Sequence, residues 1–388
     1  MAESANEFEL TAEQLQQHPG IALLLILFAA FMFSLFAASV FTWVAMLVRL
    51  RRGENVLPVQ DWTPRVWGLL DLIMLAALVI VGQTIALKLW AMVGQVDLAQ
   101  MRTESDFPLS AMASVSASYL IVMFVMTAWF LFRYRSSLTH LGLAGGHWFS
   151  NVRLGLAAAV VVLPVVYALM ALVSLGQEYD HPLLERMGEE ASLSAFLFAF
   201  FAAVIVAPLT EEFLFRVVLQ GWLQSLPWST RHLQWFTGAS QAQRQLDHSL
   251  DAQIGPLNAG ANSLPDSLTN SLTNSLSSSV PGSMESANPY RVSNAFDQTD
   301  SQVEAFGPPG SFGIRPPLWP VLVSGTLFGM AHWGYGLSFI PLILLGIVLG
   351  LLYRATHSIW PGLVVHFILN FIAILGLGIS MLIQAFIQ

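Results

Sequence analysis

Eight apolar runs, near residues 20–48, 66–94, 109–132, 154–176, 193–222, 318–333, 337–353 and 359–386, constrain this chain more than any other feature. A helix needs about 20 residues to cross roughly 30 Å of hydrocarbon. In lipid, moreover, every backbone N–H and C=O must find its partner inside the structure, and runs of this length meet that demand as helices. The expected fold is therefore all-α, a polytopic transmembrane helical bundle with about eight transmembrane helices, integral to a lipid bilayer. Composition agrees: 55% of the 388 residues are hydrophobic against 10% charged, outside the soluble range.

Charge and cysteine content remove several classes of function. The net charge of −8 includes a single lysine, Lys88, so no basic face is available to track a phosphate backbone, and no nucleic acid partner is expected. With no cysteine, thiolate nucleophiles, thiolate metal sites and disulfide frameworks are excluded together. The acidic tail at residues 1–19 carries Glu3, Glu7, Glu9 and Glu13 and no Lys or Arg, the reverse of a signal-peptide n-region.

Lys and Arg are retained on the cytoplasmic side, and here they orient the bundle. Arg49, Arg51, Arg52, Arg65, Arg133, Arg135, Arg153 and Arg354 all fall in connections on one side, whereas Lys88, Arg102 and Arg186 fall on the other. Both termini are thus expected to face outward. Residues 20–228 would hold helices one to five and residues 318–388 helices six to eight. Between them, residues 229–317 include a Ser-Leu repeat around Pro265 rich in Thr and Asn, residues that compete with the helical backbone for hydrogen bonds. This segment reads as a disordered low-complexity cytoplasmic insert. The sixth and seventh runs are short, and Gly334-Tyr335-Gly336 joins them, so this hairpin is expected to turn before the far surface.

Ionisable residues inside spans cost at least about 2.5–3.5 kcal/mol each on insertion scales, which makes every one a candidate functional group. The fifth span carries Glu211, Glu212 and Arg216, the sixth carries Phe328 and His332, and the eighth carries His366 and Asn370. Glu212 and Arg216 stand at i and i+4, suited to an ion pair on one helix face, while Glu211 is rotated about 100° away. Phe328 with His332, and His366 with Asn370, repeat the same spacing. A Glu-Arg pair of this kind can equally be a pin between helices, and a lone intramembrane histidine a packing residue. His357 lies in a predicted cytoplasmic turn, where surface solvation accounts for it. Asp71 reads as a local hydrogen-bonding residue, and Lys88 can reach outward to the interface.

Two chemistries suit the cluster. A carboxylate beside an imidazole can take a proton from water, while a second imidazole and a carboxamide donate to the oxyanion of a tetrahedral intermediate. Alternatively, Glu211, His332 and His366 form the ligand set of a catalytic zinc. Both lead to amide hydrolysis.

Glu-Glu-x-x-x-Arg, then Phe-x-x-x-His, then His-x-x-x-Asn, in that order on late helices, resembles the CPBP intramembrane proteases, which include type II CAAX prenyl endopeptidases and bacteriocin-processing relatives. The likeness covers about residues 140–375, excluding the insert, and extends to Leu141-Gly142-Leu143 and to Ser358-Ile359-Trp360-Pro361-Gly362. It implies a membrane-associated peptide or protein as substrate. It also implies Glu211 and His332 as the pair that activates water, with His366 and Asn370 stabilising the oxyanion. Glu212, Arg216 and Phe328 would support them, and the site would open toward the cytoplasm. The insert departs from the family's shorter connection. Two other classes compete: a non-catalytic scaffold or bacteriocin-immunity-type protein with the same fold, and a proton-coupled transporter. A scaffold has no need of a costly polar cluster, and a transporter predicts a repeat of the site that the first half does not contain.

Overall fold

The computed structural model describes residues 16–58, 60, 63–98, 108–145, 147–175, 193–229, 232–239, 316–334 and 336–387. Every element among them is helical. The long helices are α1 (Pro19–Arg51), α2 (Leu69–Gly94), α3 (Leu109–Arg133), α4 (Trp148–Ser174) and α5 (Leu193–Ser225). The short α6 (His232–Thr237) precedes α7 (Trp319–Met330), α8 (Phe339–Thr356) and α9 (Trp360–Ile387).

All eight apolar runs become helices, but seven are long and apolar enough to cross a membrane. The exception is α7, whose 12 residues rise only about 18 Å. It stops at Met330, residues 331–334 turn, and the short Gly336–Ser338 turn leads into α8.

Helices meet closely where glycine removes a side chain, the usual device when lipid offers no hydrophobic drive to association. At the α7–α8 crossing, a Cβ on Gly325 would lie 2.6 Å from the backbone nitrogen of Ile347, and one on Gly346 would lie 2.6 Å from the carbonyl of Gly325. At the α4–α9 crossing, a Cβ on Gly155 would lie 2.7 Å from the carbonyl of Pro361. The α2–α3 pair adjoins a core of Trp67, Met126, Phe130, Phe213, Val217 and Tyr353, and a second core joins α4, α8 and α9 through Leu163, Val166, Leu345, Leu349 and Val365. The outer helix α1 presents most of its apolar side chains outward and attaches to α4 through Trp43, whose indole donates to the Val161 carbonyl at 3.1 Å.

Two sequence expectations are corrected. The insert does not begin directly after α5: α6 packs against α2, and the Ala239 amide donates to the Val66 carbonyl at 2.8 Å, so residues 232–239 belong to the folded body. The expectation of disorder for the rest of the insert falls on residues 240–315, outside the described residues, as does the acidic tail through residue 15. His357 is not a solvated surface histidine. It is half-buried in the α8–α9 turn at φ 52°, and burial, with the charges of Arg65 and Arg354, pushes its pKa down to about 3. Asp71 does hydrogen-bond locally, closing the α2 N-terminus by accepting from the Gly68 amide at 2.8 Å, the Trp129 indole at 2.8 Å and the Tyr134 hydroxyl at 2.6 Å.

Candidate active site

The middle of α5 departs from α-helical register. Phe201–Val206 and Phe213–Gln220 are π-helical, and the residues between them, Ala207–Glu212, carry both glutamates. Wider π turns inside α-helices commonly accompany functional sites because they re-aim side chains. Here Glu212 and Arg216 still meet at i, i+4: Arg216 Nε is 3.4 Å from Glu212 Oε2, and both side chains have zero exposure. Arg216 also donates from its Nη1 to the Ser324 hydroxyl at 2.9 Å and lies 5.1 Å from the centre of the Phe328 ring. Ser324 in turn donates to the Phe215 carbonyl at 2.9 Å, which fixes α7 to α5 beside the charge pair.

His366 sits between the two carboxylates. Its Nε2 is 3.7 Å from Glu211 Oε2, and its Nδ1 is 3.6 Å from Glu212 Oε1. These separations are too long for direct hydrogen bonds. The expected division between the glutamates holds in part. Glu212 is buried against Arg216, whereas the Glu211 side chain is 26% exposed, but both approach His366. Gly362 makes room for this arrangement, because a Cβ there would lie 2.7 Å from Glu212 Oε2.

His332 and Asn370 are placed differently from a simple convergence. His332, in the turn after α7 and partly exposed, has its Nδ1 3.0 Å from the Phe328 carbonyl. Its ring centre lies 5.4 Å from that of Phe328, and the His366 ring meets the same phenyl edge-on at 5.5 Å, so Phe328 connects the two imidazoles. Asn370 donates one amide hydrogen to the Ala203 carbonyl in the first π stretch at 2.7 Å, and a carboxamide has two such donors.

The zinc set does not assemble. Among the described residues no three His, Asp or Glu side chains are grouped so as to hold a metal ion, and Glu211 neighbours His366 while His332 is engaged with Phe328. Sequence reasoning missed Ser324 and two fully buried amides, Gln220 and Gln224, and had Gly362 only as part of the stretch that carries the resemblance. The glutamines were visible as a continuation of Glu212 and Arg216 at four-residue steps, a buried polar file along α5.

Fold and site together define an integral membrane protein that holds two glutamates, an arginine and a histidine inside its helices. Residues 193–242 and 305–372 match the family model described as type II CAAX prenyl endopeptidase Rce1-like, and those two blocks contain every residue of the candidate site. That match covers less than half of the chain and is a likeness to the CPBP family of intramembrane proteases. No curated protein and no solved structure matches it. Residues 243–304, most of the insert, lie between the matched blocks.

Proposed function

We propose that the chain is an endopeptidase that hydrolyses a peptide bond of a membrane-associated substrate by glutamate-activated water, its site opening toward the cytoplasm. One observation carries the reading: Glu211 is a partly exposed carboxylate within a membrane-spanning helix, 3.7 Å from an imidazole, while the glutamate beside it is buried against an arginine. A purely structural pin accounts for Glu212 and leaves Glu211 without a role.

In this mechanism Glu211 takes a proton from water, and the hydroxide oxygen bonds to the scissile carbonyl carbon. The carbonyl becomes an oxyanion, for which His366 and the second amide hydrogen of Asn370 are the donors. His332, half-exposed on the Phe328 ring, orients the water. Collapse of the intermediate breaks the C–N bond, and the proton held by Glu211 passes to the leaving amine. Glu212 and Arg216 hold the helices that carry these groups. The cytoplasmic opening rests on the arginine asymmetry.

Glu211→Gln tests the reading. The change keeps shape and removes the base, so membrane peptides from cells carrying the variant should lack fragments that wild type generates, with protein level unchanged. Unimpaired cleavage by Glu211→Gln would overturn the mechanism.

A further inference from the structure

Pinning α5 beside α7 occupies only one end of Glu212. Oε2 is the oxygen 3.4 Å from Arg216 Nε, whereas Oε1 is the one 3.6 Å from His366 Nδ1. Both side chains are buried, and among the described residues neither Oε1 nor Nδ1 has a hydrogen-bond partner. Arg216, Glu212, His366 and Glu211 thus form a line whose successive separations are 3.4, 3.6 and 3.7 Å. The line depends on α9, where Gly362 precedes His366 by one helical turn and leaves room for the Glu212 carboxylate beside the ring.

A neutral imidazole carries one N–H and one lone pair, and the partner of one nitrogen decides which of the two it is. In the Nε2–H form, the Nδ1 lone pair would face the Glu212 carboxylate, two acceptors opposed where burial makes an unmet polar group costly. In the Nδ1–H form a donor faces Oε1, and Nε2 is left as an acceptor toward Glu211. Glu212 has the stronger hold on the ring. Its side chain has zero exposure, whereas Glu211 is 26% exposed and, as the base, meets water that screens its charge.

We propose that Glu212 is a positioning residue: its carboxylate holds the His366 imidazole as the Nδ1–H tautomer, so that Nε2 receives the proton Glu211 takes from water. The inference rests on the reading of Glu211 as the base. An O–H bond of water breaks as the Glu211 O–H forms, and that bond breaks in turn as Nε2–H forms. The new N–H is the one that His366 donates to the oxyanion. When the intermediate collapses and the C–N bond breaks, the proton returns through Glu211 to the leaving amine. The separations of 3.6 and 3.7 Å shorten once substrate closes the site, as catalytic contacts that are long in a free enzyme commonly do.

Solid-state NMR of the full chain in lipid bilayers at neutral pH, with isotopically labelled histidine, reads the protonation of each ring nitrogen, and the signals lost in His366→Asn identify the ring. A proton on Nδ1 and none on Nε2 is expected. A proton on Nε2, alone or together with one on Nδ1, overturns the proposal. Kinetics supply a second readout, with a quenched fluorescent peptide spanning the junction that the Glu211→Gln comparison identifies as cleaved. The Glu212→Gln, Arg216→Gln double variant removes the carboxylate without stranding the arginine. Its kcat per folded molecule should fall more than about tenfold with KM little changed, since placed proton transfer contributes about 10²–10⁴-fold. A merely structural pair would lower the amount of folded enzyme and leave that kcat alone, so a kcat within about tenfold of wild type also overturns the proposal. The wild-type spectrum decides whether or not the double variant folds. Unimpaired cleavage by Glu211→Gln defeats the reading of the base itself, whereas failure of this inference leaves Glu211 essential.

Discussion

Arg216 sets the terms on which a charge survives inside this bundle. It is fully buried, it faces Glu212, and it also meets a serine hydroxyl and an aromatic face. Removing one partner of a buried pair strands the other and costs about 3–5 kcal/mol, whereas replacing both with neutral groups is often tolerated. Arg216→Ala should therefore accumulate less well in the membrane than the Glu212→Gln, Arg216→Gln double variant, as read by folded protein per cell. Equal accumulation would show that the pair contributes no such strain. His357 makes a pH-dependent prediction at the same scale. Its folded pKa, about 3, lies below the ordinary 6.5, so the unfolded chain takes up a proton first as pH falls. The contribution is complete above about pH 6.5 and is lost progressively below it, toward pH 3. Asn tolerates the left-handed backbone at this position. His357→Asn should flatten the pH dependence of thermal stability over that window, and an unchanged profile would place the titration elsewhere.

At the scale of elements, α7 is the weak member that leads into the turn carrying His332, a proposed catalytic residue. Too short to span, it depends on α8, against which Gly325 and Gly346 allow backbone contact. Gly325→Val would force the helices apart, since its Cβ meets backbone rather than a movable side chain. Strain of this kind costs about 1–3 kcal/mol. The displacement would carry Ser324 off Arg216 and move His332 relative to His366. Activity should fall further than the amount of folded protein, and proportional loss of both would mean that α7 is not positioned by this crossing. The π stretches of α5 act in the opposite direction, as a fixed irregularity that brings both glutamates to one histidine.

Across the whole molecule, orientation and the insert belong together. Twelve of the 16 basic residues, the insert's own four included, fall on the side assigned to the cytoplasm, and Arg216 lies within α5. In inverted membrane vesicles, added protease should cut within residues 240–315 before any other segment. Protection of that segment would reverse the assignment. The sequence by itself determined the helical class, the eight apolar segments, the short hairpin before α8 and the list of polar residues that lipid makes costly. Those properties depend on local composition and period, which a chain carries along its length. Tertiary structure decided the rest. It held α7 to 12 residues, drew α6 into the body, half-buried His357 within the fields of Arg65 and Arg354, and placed His366 Nε2 3.7 Å from Glu211. Each of these depends on which helices cross and how closely, a matter of glycine contacts and π register between segments far apart in sequence. Spacing along one helix defines a face, but only the packing of helices against one another determines what that face meets.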